Sequence, residues 1–138
     1  WQAGATQEGS IQRLRYTGEK GIYLTEAKAR KNCLQLIFNE PVNLESIKKE
    51  SFSASAWNYR WSKGYGSPQL RASDPETKGI DELAIDSILL SDDGRTLTVQ
   101  IPKLIPCHNL KLGFAVAGKN GAVLSGPVYF TIHELPES

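Results

Sequence analysis

The chain of 138 residues has the length of a single domain built on one hydrophobic core. Its 16 Lys and Arg against 15 Asp and Glu leave a net charge of +1, which excludes a global field drawing it to nucleic acid or to an anionic membrane. The longest apolar runs, such as Ile88–Leu90, are strand-sized and fall well short of the roughly 18 residues a spanning helix needs. Trp1-Gln2-Ala3-Gly4 is no signal peptide and the sequence holds no Met, so it reads as a piece of a longer protein whose export signal would lie upstream.

Taken in order, residues 1–9 are small, polar and aperiodic, and are expected to be a linker or the tail of a preceding domain. A folded domain is expected over 10–135, with 136–138 as a C-terminal tail. Strand signals recur at Ile11–Tyr16, Gly21–Thr25, Cys33–Phe38, Ala56–Trp61, Leu83–Leu90, Thr96–Ile101, Leu110–Val116 and Pro127–His133, a spacing that points to a sandwich or barrel. Several have the period of two that a half-buried strand requires: Leu34, Leu36, Phe38; Leu97, Val99, Ile101; Leu110, Leu112, Phe114, Val116; and Val128, Phe130, Ile132. Asp93-Gly94 and Asn120-Gly121 fall between such runs and predict tight turns, because glycine takes a positive φ without a Cβ clash. Asn43 can cap one short helical turn within 43–50, carrying Leu44 and Ile47. The Gly-, Ser-, Pro- and charge-rich stretch Ser62–Lys78 predicts a long loop or a weakly paired edge, and is the first place to look for binding. The expected fold is all-β: an immunoglobulin-like (fibronectin III-like) β-sandwich of about seven to eight strands, with at most a short helix near 43–50.

Catalysis or metal binding needs convergent His, Cys, Asp or Glu, and the only histidines are His108 and His133. Cys107 and His108 are adjacent, so on a strand they point to opposite faces and cannot share a metal or act as a nucleophilic pair. His133 shares a strand face with Tyr129 and Thr131, which predicts exposure. The carboxylates Asp81, Glu82, Asp86, Asp92 and Asp93 lack the register of a calcium loop. Gly64 and Gly66 lack the strand-to-helix setting of a phosphate loop. No catalytic residue and no metal site are expected, and the isolated domain is not expected to be an enzyme. Cys33 and Cys107 fit either one disulfide, in an oxidising compartment, or two buried thiols.

One constellation stands apart. Trp57, Tyr59 and Trp61 alternate with Asn58 and Arg60, with Tyr65 just beyond, so that four of the eight Trp and Tyr residues occupy positions 57–65. If the face they share turns inward, they are core or pack against another domain. If it faces solvent, they form a platform that stacks sugar rings while Arg60 hydrogen-bonds hydroxyls.

The runs Gln12-Arg13-Leu14-Arg15-Tyr16-Thr17-Gly18, Trp57-Asn58-Tyr59-Arg60-Trp61 followed by Tyr65-Gly66-Ser67, and Leu90-Ser91-Asp92-Asp93-Gly94-Arg95-Thr96 occur here in that order. From about Ser10 to Glu134 the chain resembles the sandwich domain that follows a β-propeller in large secreted bacterial proteins related to PQQ-dependent sugar dehydrogenases, which often carry a cytochrome c or haem-binding module. The resemblance implies a periplasmic or extracellular location and a noncatalytic accessory role, packing against or spacing the neighbouring domains of the same polypeptide. It implies no cofactor in this domain, since PQQ and haem would sit in other domains and the chain has no Cys-x-x-Cys-His. A glycan is the partner expected if the aromatic strand is a binding surface.

Overall fold

The structure is a computed structural model that describes residues 13–136. Alternation does most of the folding work. Leu34, Leu36 and Phe38 of β2 (Cys33–Phe38) and Leu97 and Val99 of β7 (Thr96–Gln100) are almost wholly buried, as are Leu110, Leu112, Phe114 and Val116 of β8 (Cys107–Ala117). Removing each such side chain from water is worth about 1.5–3 kcal/mol, which outweighs the modest strand propensity of the residues between them. Phe114 meets Phe38 edge-on at 6.4 Å and Phe52 at 6.5 Å, so aromatic rings bridge the layers.

Two antiparallel sheets enclose this core. The first runs β1-β2-β7-β6, with β1 at Leu24–Arg30 and β6 at Ile88–Leu90. The second runs β4-β3-β8-β9, with β3 at Ser53–Asn58, β4 at Leu70–Arg71 and β9 at Val123–Ile132; β5 (Asp81–Leu83) pairs with β3 beside β4. First, second, fifth and fourth main strands in one sheet against third, sixth and seventh in the other is the immunoglobulin-like order, with β4 and β5 added at the edge of β3. In the second sheet Ala54 and Ala56 pair with Leu112 and Leu110, so small residues on β3 face large ones on β8.

The turns follow their chemistry. Gly94 has φ +72° and donates its N–H to Ser91 at 2.8 Å, and Gly121 has φ +83°. Asn43 accepts from the Glu45 N–H at 3.1 Å and caps a 3-10 turn over Leu44–Ser46; a second such turn covers Lys49–Ser51, and no α-helix forms there. Among the described residues no helix is long and apolar enough to cross a membrane.

Several expected boundaries move. Residues 11–12 of the expected first strand, the expected linker 1–9 and positions 137–138 of the expected tail lie outside the described residues, while Arg13–Tyr16 form no strand and are exposed. The next strand begins only at Leu24 and runs on to Arg30, and Ile22 is the first residue of the described chain to enter the core. The aromatic strand is shifted upstream to Ser53–Asn58, because Ala54 and Ala56 are the residues that fit under β8. The single strand expected over Leu83–Leu90 is two, β5 in the second sheet and β6 in the first. The chain crosses between the layers there, which brings the strands among the described residues to nine.

Candidate functional site

The phase of β3 decides where the aromatic residues go. Ala54 and Ala56 are 3% and 0% exposed, so Ser53, Ser55 and Trp57 point to the outer face of the second sheet. Trp57 is half-buried there, in register between Asn109 of β8 and Arg71 of β4. The chain leaves the sheet after Asn58, and the remaining rings stand increasingly clear of it: Tyr59 is 52%, Trp61 88% and Tyr65 96% exposed. None of these rings lies between the sheets, so the alternative that they form the sandwich core is overturned.

The start of this arm is pinned. The Tyr59 ring stacks on His108 with centroids 4.7 Å apart and planes tilted by 51°. The Tyr59 N–H donates to His108 Nδ1 at 3.2 Å, which leaves Nε2 to carry the ring proton. The His108 N–H in turn donates to Asn58 Oδ1 at 2.8 Å, and the Thr131 hydroxyl donates to the His108 carbonyl at 3.0 Å. A register shift in β8 between Cys107 and Leu110 aims His108 outward at this point.

Arg60 closes the loop that follows. Its N–H donates to Ser67 Oγ at 2.8 Å, and its guanidinium pairs with Glu76 at 2.7 Å. The pair is exposed, so it contributes only about 0–1 kcal/mol to stability, but it fixes two polar heads beside the rings. A recess of about 230 Å³ opens between Arg60, Ser67, Pro68, Leu70, Glu76 and Lys78. A shallower one of about 300 Å³ lies along Tyr59, Trp61 and Tyr65. The arrangement offers apolar ring faces next to donors and acceptors at the surface, a set suited to contact and binding.

The cysteines are both free and buried. Leu34 and Leu36 take the inward face of β2, which puts Cys33 on its outer face, whereas Cys107 lies in the core. The first sheet therefore separates the outward Cys33 of β2 from the core in which Cys107 of β8 lies. Burial pushes the Cys107 thiol up to about 11 and raises that of Cys33, where nearby Arg30 partly offsets it, so both stay protonated and unreactive near neutrality. Cys107 is buried and His108 exposed, as neighbours on a strand must be; His133 is exposed too.

Asp81 and Asp93 serve local structure, Asp93 by accepting from the Ser91 hydroxyl and the Arg95 N–H. Asp81 accepts from the Ser73 N–H and hydroxyl, both at 2.8 Å, with Arg71 at 3.8 Å. Burial pushes its carboxyl up, but these hydrogen bonds and the Arg71 charge outweigh it and hold the group below its ordinary value. Among the described residues no group of three or more His, Cys, Asp or Glu is placed to hold a metal.

Sequence reasoning missed His108, Ser67 and Glu76 as partners of the arm. Ser67 stands in the Tyr65-Gly66-Ser67 run, but nothing local marks His108 or Glu76, which arrive through long-range pairing. No protein-family model matches the chain, and no curated protein matches it.

Proposed function

We propose that this chain is a noncatalytic, immunoglobulin-like accessory domain of a larger exported bacterial protein, and that the arm Tyr59–Ser67 is the surface by which it packs against a neighbouring domain, of the propeller kind the sequence resemblance implies. The observation that carries this reading is the exposure of Trp61 and Tyr65, 88% and 96%, on a loop whose base is fastened to the sheet. A Trp and a Tyr held out in water present large apolar faces at low conformational cost, and residues of this kind anchor interfaces. On this reading the domain itself needs no cofactor, and any quinone or haem belongs to other domains.

A second reading is favoured by one specific feature, the Arg60–Glu76 pair beside three exposed rings, which matches the stacking and hydroxyl recognition of a carbohydrate-binding module using Trp57, Tyr59, Trp61 and Tyr65. Trp fluorescence of the folded chain during titration with an oligosaccharide panel separates the two. The accessory reading expects no shift. It also expects Trp61→Ala with Tyr65→Ala to change the calorimetric melting of the domain within the complete polypeptide to that of the isolated chain. A saturable shift that the double variant abolishes supports the glycan instead.

A further inference from the structure

We propose that Asn120 is a site of spontaneous covalent modification, deamidation through an imide closed by the Gly121 nitrogen, and that the change unfastens the chain at Lys20 from the β8–β9 hairpin. The chemistry is independent of whatever covers the aromatic arm. Asn120-Gly121 is the one Asn-Gly pair in the sequence; the other asparagines are followed by Cys33, Glu40, Leu44, Tyr59 or Leu110. Ring closure brings the following backbone nitrogen against the side-chain amide carbon, and a side chain on that next residue stands in the way. Glycine puts nothing there, and the space where a Cβ would stand at Gly121 is empty.

The reaction needs only water and base. The Gly121 nitrogen, losing its proton to hydroxide, bonds to Asn120 Cγ; the Cγ–Nδ2 bond breaks, and Nδ2 takes a proton from water and leaves as ammonia. Water then opens the five-membered imide at either carbonyl. One opening leaves aspartate at 120, the other isoaspartate, with one carbon added to the main chain. The fold guards the comparable pair Asp93-Gly94 and leaves this one open. Imide formation from aspartate needs the neutral carboxyl, whereas hydrogen bonds from the Ser91 hydroxyl and the Arg95 N–H hold the Asp93 carboxyl below its ordinary value. Gly94 is also packed, its Cβ position lying 3.2 Å from Pro41 Cβ. Asn120 and Gly121 are both exposed at the tip of the hairpin. There the Gly121 N–H donates to the Gly118 carbonyl at 3.0 Å, and Asn120 Oδ1 accepts from the Ala122 N–H at 3.1 Å. Exposed bonds of a single turn open locally without the rest of the sheet.

Asn120 is also a clasp. Its Nδ2 donates to the Lys20 carbonyl at 2.9 Å, joining two points 100 positions apart in the sequence. Deamidation replaces that donor by a carboxylate oxygen, which only accepts, so the Lys20 carbonyl loses its partner and faces negative charge. Isoaspartate goes further, because the added main-chain carbon disturbs the turn in which the Gly118 N–H donates to the Ala122 carbonyl at 2.8 Å. The next fastening inward is separate: Asn39 Nδ2 donates to the Gly21 carbonyl at 3.0 Å, and Asn39 Oδ1 accepts from the Tyr23 N–H at 2.7 Å. The unfastened length therefore ends at Gly21, before Ile22 enters the core.

Incubation of the folded chain in mildly alkaline buffer, followed by peptide mapping by mass spectrometry, tests the site. The expected result is the mass gain of an amide turned to an acid, confined to the peptide that holds Asn120, with isoaspartate detected there by an isoaspartyl methyltransferase. Asn120→Asp should show no such gain. Trypsin reads the clasp, since cleavage after Lys20 follows the population in which its carbonyl is free. Asn120→Asp and the aged protein should be cut there about fivefold faster than the fresh parent, the effect of one net hydrogen bond. Cleavage after the exposed Arg13 and Arg15 is the reference and should not change. Amide loss at Asn120 no faster than at the asparagines that lack a following glycine overturns the modification. Cleavage of Asn120→Asp after Lys20 at the parent rate overturns the clasp. Faster cleavage at sites throughout the sandwich, with a lower melting temperature, means global destabilisation and overturns the clasp equally.

Discussion

Replacing Gly126 by Ala probes how tightly the second sheet closes over the core. Gly126 lies on β9 directly opposite Phe114 of β8, and the phenyl ring occupies the space a side chain would take. A Cβ at 126 would lie 2.9 Å from Phe114 Cδ1 and closer still to Cε1, distances that no real Cβ tolerates. Phe114 cannot swing away freely, because it is 5% exposed and packed against Phe38 and Phe52. Overpacking of this kind costs about 1–3 kcal/mol. At about 4 °C per kcal/mol for a domain of this size, the melting temperature should fall by roughly 4–12 °C. Urea titration followed by far-UV circular dichroism gives the free energy directly. Gly64→Ala is the control, since its Cβ would meet only Ser62 Oγ at 3.7 Å. Phe114→Leu placed on top of Gly126→Ala should cost less than the two single changes summed, because the smaller side chain vacates the clash. A Gly126→Ala protein as stable as the parent would refute the packing described for β8 and β9.

Other consequences can be checked on the same protein. Native protein should show no fast-reacting thiol near neutral pH and two after denaturation, with no mass change on reduction; a gain of about two hydrogens would restore the disulfide. Because burial raises the Cys107 pKa from 9.0 to about 11, the unfolded state releases that proton first as pH rises. Stability is therefore full below pH 9 and falls toward 11, by about 2–3 kcal/mol if the whole shift is realised, and Cys107→Ala should flatten that limb of a pH–denaturation series. Asp81 has the opposite sign, since its pKa is held down: its contribution is present above the ordinary carboxylate pKa and is lost on acidification. Asp81→Asn should cost about 1–2 kcal/mol at pH 7 and nothing near pH 2, measured by urea titration at both. Trp61→Ala with Tyr65→Ala should leave stability within about 0.5 kcal/mol, whereas a core Trp alone would cost about 3–5.

The parts of the fold written in alternation were legible from sequence. Leu34 to Phe38, Leu97 to Ile101 and Leu110 to Val116 are buried as their period demands, and Gly94 and Gly121 take the positive φ their turns needed. Strands lacking that contrast were misplaced. β1 reads Leu24-Thr25-Glu26-Ala27-Lys28-Ala29-Arg30, where alanines supply the inward face and give little hydrophobic signal. β3 hides the same way behind Ala54 and Ala56, and the aromatic residues after it drew the expected strand downstream. Its phase was readable in principle, since inward alanines at 54 and 56 force Trp57 outward. The pairing of Tyr59 with His108 and of Arg60 with Glu76 was not, because such contacts depend on which strands become neighbours.

The central claim is that the aromatic arm is an outward surface that another body covers. Hydroxyl-radical footprinting of Trp61 and Tyr65, in the isolated chain and in the complete polypeptide, measures that most directly. The account predicts oxidation close to that of free side chains in the isolated chain, and a severalfold fall at both residues in the complete polypeptide. Equal oxidation in the two, or Trp61 already shielded in the isolated chain, would contradict it.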